Sequence, residues 1–458
     1  MTWVKRTDPL AGQPAAATAI PKAIRIGILV ALAVFTLVLG LQARHKVIVN
    51  MPKQRHIDAF DSYMKIIPQY LYQHKPYTSE RFPLPPFAML FLAPCTLLSR
   101  PNAQMAWVFC KPFMFVPIFL LALSIVRRGG GNIPLGVLAV VAAGWFFPLI
   151  GDIQEGQMNL LMLLPLTIAL WMAQEESPRG DLASGLMLAM AICIKVTPLA
   201  FVAYFLFRRR WAIAAWTLAG IGLWLVVVPA LFFGWRQNLL WLDQWSRLMI
   251  FPYVMHDTIK FPNGESIPEF LLRLLSHLPA WKTNRAGVVH NHYINVVNLS
   301  PALAHLISRV VLLAIAIAGM VWARLSLATF RTRRYVMEIA CIGVFMLWAS
   351  ERTWVPHYVT LIFALMAAAM ILCDERATHP ARWRAGLALL ATALFMPWTS
   401  ELAKIFGPNG RHYVDTIDLV LWLSMALMIA IITARFEPGV EYADARFISS
   451  KPHDKIDS

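Results

Sequence analysis

Apolar runs of about 17–23 residues recur along the chain from Ala23 to Ala434, separated by short polar stretches. As a helix, a run of that length covers the roughly 30 Å hydrocarbon core of a bilayer. The candidate spans are 23–42, 104–126, 133–150, 157–173, 182–207, 211–233, 301–323, 335–350, 354–373, 384–398 and 416–435. A further segment, 84–99, is short and interrupted by Pro85, Pro86 and Pro94. The pattern predicts an all-α polytopic membrane protein with about 12 transmembrane helices. The first run follows a polar start of 22 residues and has no small-x-small cleavage site, so it reads as a retained span rather than a signal peptide.

Two arrangements give twelve crossings. In one, 84–99 spans and 182–207 is a single long helix. In the other, 84–99 lies along or dips into the membrane, and 182–207 is two half-spans broken at Lys195-Val196-Thr197-Pro198. Both put Arg208–Arg210 and Arg331–Arg334 in the cytoplasm, and only the second puts Arg127-Arg128 there too. The excess of basic residues in cytoplasmic loops therefore favours the second. It predicts a cytoplasmic N-terminus over 1–22, a membrane domain over 23–435 and a charged, disordered cytoplasmic tail over 436–458. The two long polar segments, 43–84 and 235–300, then lie outside as loops, in a multi-pass protein of the cytoplasmic (inner) membrane.

Composition agrees with this picture. Hydrophobic residues make up 58% of the chain and charged ones 14%, against about 25% charged in soluble domains. The net charge of +16 is carried by short basic clusters at the ends of apolar runs, not by a stripe free of the membrane. A nucleic-acid partner is therefore not expected. Cys95, Cys110, Cys193, Cys341 and Cys373 all fall in apolar segments, with no disulfide or metal spacing.

The polar residues that can carry chemistry collect on the outer side. Asp58 and Asp61 stand three apart beside Arg55 and His56, so one helix face can carry both. A carboxylate there can act as a general base, or can simply be a solvated pair opening a helix. Gly151 to Asn159 opens a span, and Gln157 and Asn159 would sit at its first turn, where helix N–H groups favour an anion or where an ordinary cap would do. Lys195 lies deep in an apolar stretch, a costly position that suits a phosphate or an internal ion pair. Between two spans, Ser350 to Tyr358 holds Arg352, suited to phosphate recognition, and His357, able to orient a phosphate or share a proton. Trp354 and Tyr358 fit an interfacial belt. His290-Asn291-His292 lacks a third ligand, so no metal site is expected. No Walker loop, dinucleotide glycine pattern or Gly-x-Ser-x-Gly elbow is present.

At these residues the chain resembles glycosyltransferase family 87, membrane enzymes of the GT-C class. The matching residues are Asp58, Tyr63, Pro76-Tyr77 and the step Leu84-Pro85-Pro86-Phe87. Gly156 to Leu161 resembles the family's Gly-Gln-x-Asn-Leu-Leu, and Lys195, Pro198-Leu199 and Arg208 to Trp211 its Lys-x-x-Pro-Leu with a basic turn and Trp. Ser350 to His357 resembles its Ser-Pro-x-Ser-Trp-x-x-His, with Glu351-Arg352 in place of Pro-x. The ordered set covers about positions 20 to 375. The family's Asp precedes its Tyr by four residues, whereas Asp58 precedes Tyr63 by five and Asp61 by two, so both remain candidates, Asp58 ahead.

The resemblance implies an inverting transfer of a hexose, often mannose, from a polyprenyl-phosphate donor to a glycolipid or glycan acceptor outside the cytoplasmic membrane. It implies no metal and no cofactor. Asp58 or Asp61, with His357, would be catalytic, and Tyr63, Tyr77, Gln157, Asn159, Lys195 and Arg352 would bind substrate. The alternative is a transporter or flippase of lipid-linked glycans, which would hold the same phosphate but would not need Asp58. The long asymmetric outer segments and the lack of an internal repeat favour the enzyme.

Overall fold

The computed structural model describes residues 22–50, 52, 58–77, 79, 82–252, 264–285, 288–324, 329–350, 353–399, 401–407 and 410–436. The N-terminal residues before 22, the tail beyond 436, and Arg55, His56, Glu351 and Arg352 lie outside the described residues.

The first half of the chain forms α1 (Lys22–Asn50), α2 (Ala59–Gln73), α3 (Pro86–Leu92), α4 (Arg100–Cys110), α5 (Pro112–Arg128), α6 (Leu135–Gln154), α7 (Asn159–Ala173), α8 (Pro178–Ile194) and α9 (Leu199–Phe207). There follow α10 (Trp211–Ile221), continued through a π-turn into α11 (Val228–Phe233), then α12 (Trp235–Trp245) and α13 (Ile267–Leu275). A hairpin of β1 (Trp281–Arg285) and β2 (Val288–His292) pairs Trp281 with His292. The chain ends with α14 (Pro301–Trp322), α15 (Arg333–Ala349), a 3-10 turn (Val355–Leu361) running into α16 (Ile362–Cys373), α17 (His379–Phe395), α18 (Gly410–Thr416) and α19 (Leu419–Ile432).

Among the described residues, six helices are long and apolar enough to cross a membrane: Val30–Asn50, Arg100–Arg128, Leu135–Gln154, Trp211–Phe233, Pro301–Trp322 and Val355–Cys373. Other predicted spans are shorter helices; α7, at 15 residues, is about 22 Å long. Length and composition thus support six of the twelve expected crossings. The lipid-facing surface is legible on α14, where Leu303, Leu306, Val310, Leu313 and Ile317 form one exposed apolar stripe. Such a stripe is untenable in water and ordinary in hydrocarbon. At the centre, α16 is buried on all sides, and its run of alanines lets neighbours approach closely.

Two sequence expectations change in detail. α1 continues past the predicted end at 42 to Asn50 because α4 packs along it, and Arg44 donates to Asn102 at 3.2 Å. The outer segments expected as loops carry α2, α12, α13 and the hairpin, which is the departure from an all-helical chain among the described residues. They can fold because their buried faces are apolar: Phe60, Met64 and Ile67 on α2 join the main core.

The 182–207 segment breaks where Pro198 stands. Proline cannot donate a backbone bond to the preceding turn, and Lys195 is already extended at φ −152° and ψ 130°. The chain then returns. Arg210, just beyond α9, pairs with Asp181 in the first turn of α8 and with Glu176 at 3.8 Å. Arg128 pairs with Glu175 at 2.6 Å, and Arg331 with the same Glu175 at 3.4 Å. Arg208 and Arg334 share Glu338, and Arg333 pairs with Asp374. All the arginine clusters therefore sit at one end of the bundle, and α8–α9 goes in and comes back. The short α3, continued by the 3-10 turn Ala93–Leu97, totals only 12 residues.

Reporter fusions placed after Arg128 and after Arg210 are expected to signal from the same side, and one after Gln73 from the other. Opposite signals from the first two would contradict the returning helix. Glu338→Gln leaves two half-buried arginines short of a buried carboxylate, so a loss of about 3 kcal/mol in stability is expected, read as a lower Tm in detergent.

Candidate active site

The other end of the bundle gathers the polar residues. Asp58 caps α2 in an extended conformation, with its Oδ1 accepting the Asp61 backbone N–H at 2.8 Å. Its Oδ2 accepts from Gln104 Nε2 at 2.9 Å and lies 3.8 Å from Lys46 Nζ. The carboxylate is completely buried. Burial raises its pKa above the ordinary aspartate value, opposed by the Asp61 N–H bond and by the Lys46 charge. Asp61, one turn on, is committed differently: Arg100 pairs with one oxygen, and Lys65 with the other at 2.7 Å.

The turn from α6 to α7 seats α2. The Ala59 N–H donates to the Glu155 carbonyl at 3.1 Å. Gly156 has φ +61°, and a Cβ there would lie 2.4 Å from Phe60 Cβ. Only glycine fits both constraints. Beneath the turn, Lys111 and Asp152 form an ion pair at 2.6 Å with neither side chain exposed, and Lys111 Nζ also donates to the Gln157 carbonyl.

Asn159 opens α7 and is the junction. Its Oδ1 accepts from Lys195 Nζ at 2.7 Å, and its Nδ2 donates to the Pro356 carbonyl at 3.1 Å. His357 Nδ1 accepts the Trp354 N–H at 2.8 Å, which leaves the proton of a neutral ring on Nε2. Lys195, His357, Asn159 and Thr197 line one narrow cleft. On the far side of Pro356 and Gln157, a larger cavity of about 840 Å³ is lined by Lys46, Glu155 and Trp354 among others.

Of the sequence candidates, Asp58, Gln157, Asn159, Lys195 and His357 meet along this seam. Tyr63 is buried, packed edge-on against Phe82. Tyr77 is fully enclosed, stacked on Tyr70 at 4.6 Å, with its hydroxyl donating to the Leu84 carbonyl and its N–H to Gln244 at 2.7 Å. It closes the segment between α2 and α3 on itself. Among the described residues no three His, Cys, Asp or Glu side chains gather as metal ligands. Sequence reasoning missed Lys111, which sits in an apolar run exactly as Lys195 does and carried the same signal. Gln104 and Lys46 carried none, since only the crossing of α2 with α1 and α4 brings them to Asp58.

Gly156→Ala is expected to cost about 1–3 kcal/mol through both the left-handed backbone and the overlap with Phe60. A Tm equal to that of the parent would refute the seating of α2 on this turn.

The profile of glycosyltransferase family 87 matches residues 82–350, more than half of the chain. α2 with Asp58 and the turn with His357 lie outside that stretch. A protein of Mycobacterium tuberculosis described as a polyprenol-phosphate-mannose-dependent alpha-(1-2)-phosphatidylinositol mannoside mannosyltransferase is 24% identical over 396 residues, with 78% of each chain covered. No solved structure matches the chain. On the length of the family match, supported by the polar seam and the multi-pass bundle, this chain belongs to glycosyltransferase family 87.

Proposed function

We propose that this protein transfers a hexose, mannose in the first instance, from a polyprenyl-phosphate donor to a glycolipid or glycan acceptor, with inversion at the anomeric carbon. The arginine-rich end faces the cytoplasm under the positive-inside rule, so the reaction takes place at the outer face of the inner membrane. The observation that carries this reading is the pairing of opposite chemistries on one seam. A buried carboxylate, Asp58, stands near the larger cavity, and Lys195 with His357 stands in the cleft beyond Pro356. The relative's donor, named as polyprenol-phosphate mannose, points the same way.

In this reaction an acceptor hydroxyl attacks the anomeric carbon, and Asp58 takes its proton as the new glycosidic bond forms. The bond from that carbon to the phosphate oxygen breaks on the opposite face. The polyprenyl phosphate leaves with the electron pair, and its growing charge meets the Lys195 ammonium and the His357 Nε2–H. Gln157 and Asn159 hold the sugar and Lys195 in register. Asp61, held by Arg100 and Lys65, anchors α2. Arg352, outside the described residues, is assigned to the phosphate by its motif alone.

Transfer of labelled mannose from polyprenyl-phosphate mannose to a total lipid extract tests this. Asp58→Asn is expected to lower kcat by about 10²–10⁴, and Lys195→Met by about 10²–10³. Full transfer by Asp58→Asn would remove the base assignment. Movement of lipid-linked sugar between leaflets without transfer would remove the enzyme reading.

The pH dependence has a definite sign. Asp58 must be ionised to act, so kcat/KM falls as pH drops through its pKa, above the ordinary value of about 3.9 because of burial. Lys46 favours the ionised form, so Lys46→Met is expected to move this acid limb to higher pH. A limb unmoved by that change would show that another group sets it.

A further inference from the structure

The Lys111–Asp152 pair is used by no step above, yet it is the most completely buried ion pair among the described residues, with both side chains at 0% exposure. Removing two charges from water costs several kcal/mol per ion, and two apolar residues of similar size commonly fill such a site at no loss. What distinguishes this pair is where its remaining bonds go. Lys111 Nζ also donates to the Gln157 carbonyl. The Asn159 amide sits against the Asp152 carboxylate, while the same amide bonds Lys195 at 2.7 Å and the Pro356 carbonyl at 3.1 Å. Asp152 also accepts the Gln157 N–H on its backbone carbonyl at 3.0 Å.

The pair thus clamps the turn 155–159 from below. One end of that turn receives the Ala59 N–H and seats the residue after Asp58. The other end is Asn159, which holds Lys195. We infer that Lys111 and Asp152 are positioning residues that set the separation between the Asp58 base and the Lys195 phosphate contact. They touch neither reacting atom. This rests on the transferase reading, since it concerns the spacing of that reading's two groups. A misplacement of about 1 Å between reacting groups can cost about 10²-fold in rate, so a rigid clamp has a function that ordinary apolar packing would not supply.

The test uses the full chain in detergent or liposomes, in two variants. The double change Lys111→Met with Asp152→Leu removes both charges at once. The swap Lys111→Asp with Asp152→Lys keeps an ion pair but points its spare donors away from Gln157. The expected result is a Tm close to the parent in the swap, with kcat for mannose transfer lowered at least about tenfold in both variants and donor KM moved less than about threefold. Hydrogen exchange of the 155–159 amides is expected to quicken about tenfold, with α16 unchanged. A purely structural pair would be satisfied by the swap, so full kcat in a folded swap, or unchanged exchange in the turn, overturns the inference. If neither variant folds, Asp152→Asn gives the same reading, because it keeps the shape and removes the charge. Parent protein that transfers no sugar would sink the transferase reading by itself, whereas the exchange measurement still reports on the clamp.

Discussion

The hydrogen bond from Lys195 to Asn159 is the contact on which the rest of the polar end depends. Inside a lipid-facing bundle, a cation without a partner is prohibitively costly, and a helix that stops short leaves backbone groups to satisfy. Lys195 ends α8 in an extended conformation, and its side chain reaches α7 rather than continuing a span. Asn159 passes that constraint to the turn that begins with Val355. The broken helix, the first turn of α7 and the entrance of α16 are thereby held to one geometry, and the cleft with His357 forms where they meet.

The two ends of the molecule handle charge in opposite ways. At the arginine-rich end, carboxylates are shared: Glu175 serves Arg128 and Arg331, and Glu338 serves Arg208 and Arg334. Such sharing suits an end that fixes helix positions and anchors the returning α9. At the other end, Asp58 is buried with amide and backbone donors, and its nearest cation among the described residues is 3.8 Å away. A carboxylate so held keeps a raised affinity for a proton, which fits the base role proposed for it.

Some features of the site were readable from residue type and position. Lys195 stood out as a charge in an apolar run beside a proline, and Asp58 as a carboxylate entering a helix. The choice between Asp58 and Asp61 was not readable, because it turns on Arg100, which lies 39 residues away from Asp61. Tyr77 looked like a binding residue by motif, yet its ring and hydroxyl are spent on Tyr70 and Leu84. Local spacing says which residues share a helix face. It does not say which neighbour from another helix occupies their polar atoms.

By itself the sequence determined that this is a multi-pass helical membrane protein, where α8 breaks, and which end is basic. Those properties follow from run length, proline and the distribution of arginine, all of which act locally or through the bilayer. The tertiary structure alone decided that the arginine clusters share one end through common carboxylates. It also decided that Lys111 pairs with Asp152, and that Asp58 takes amide and backbone donors where Asp61 takes two cations. These depend on helix crossings, where a shift of one turn, about 5 Å, exchanges every partner.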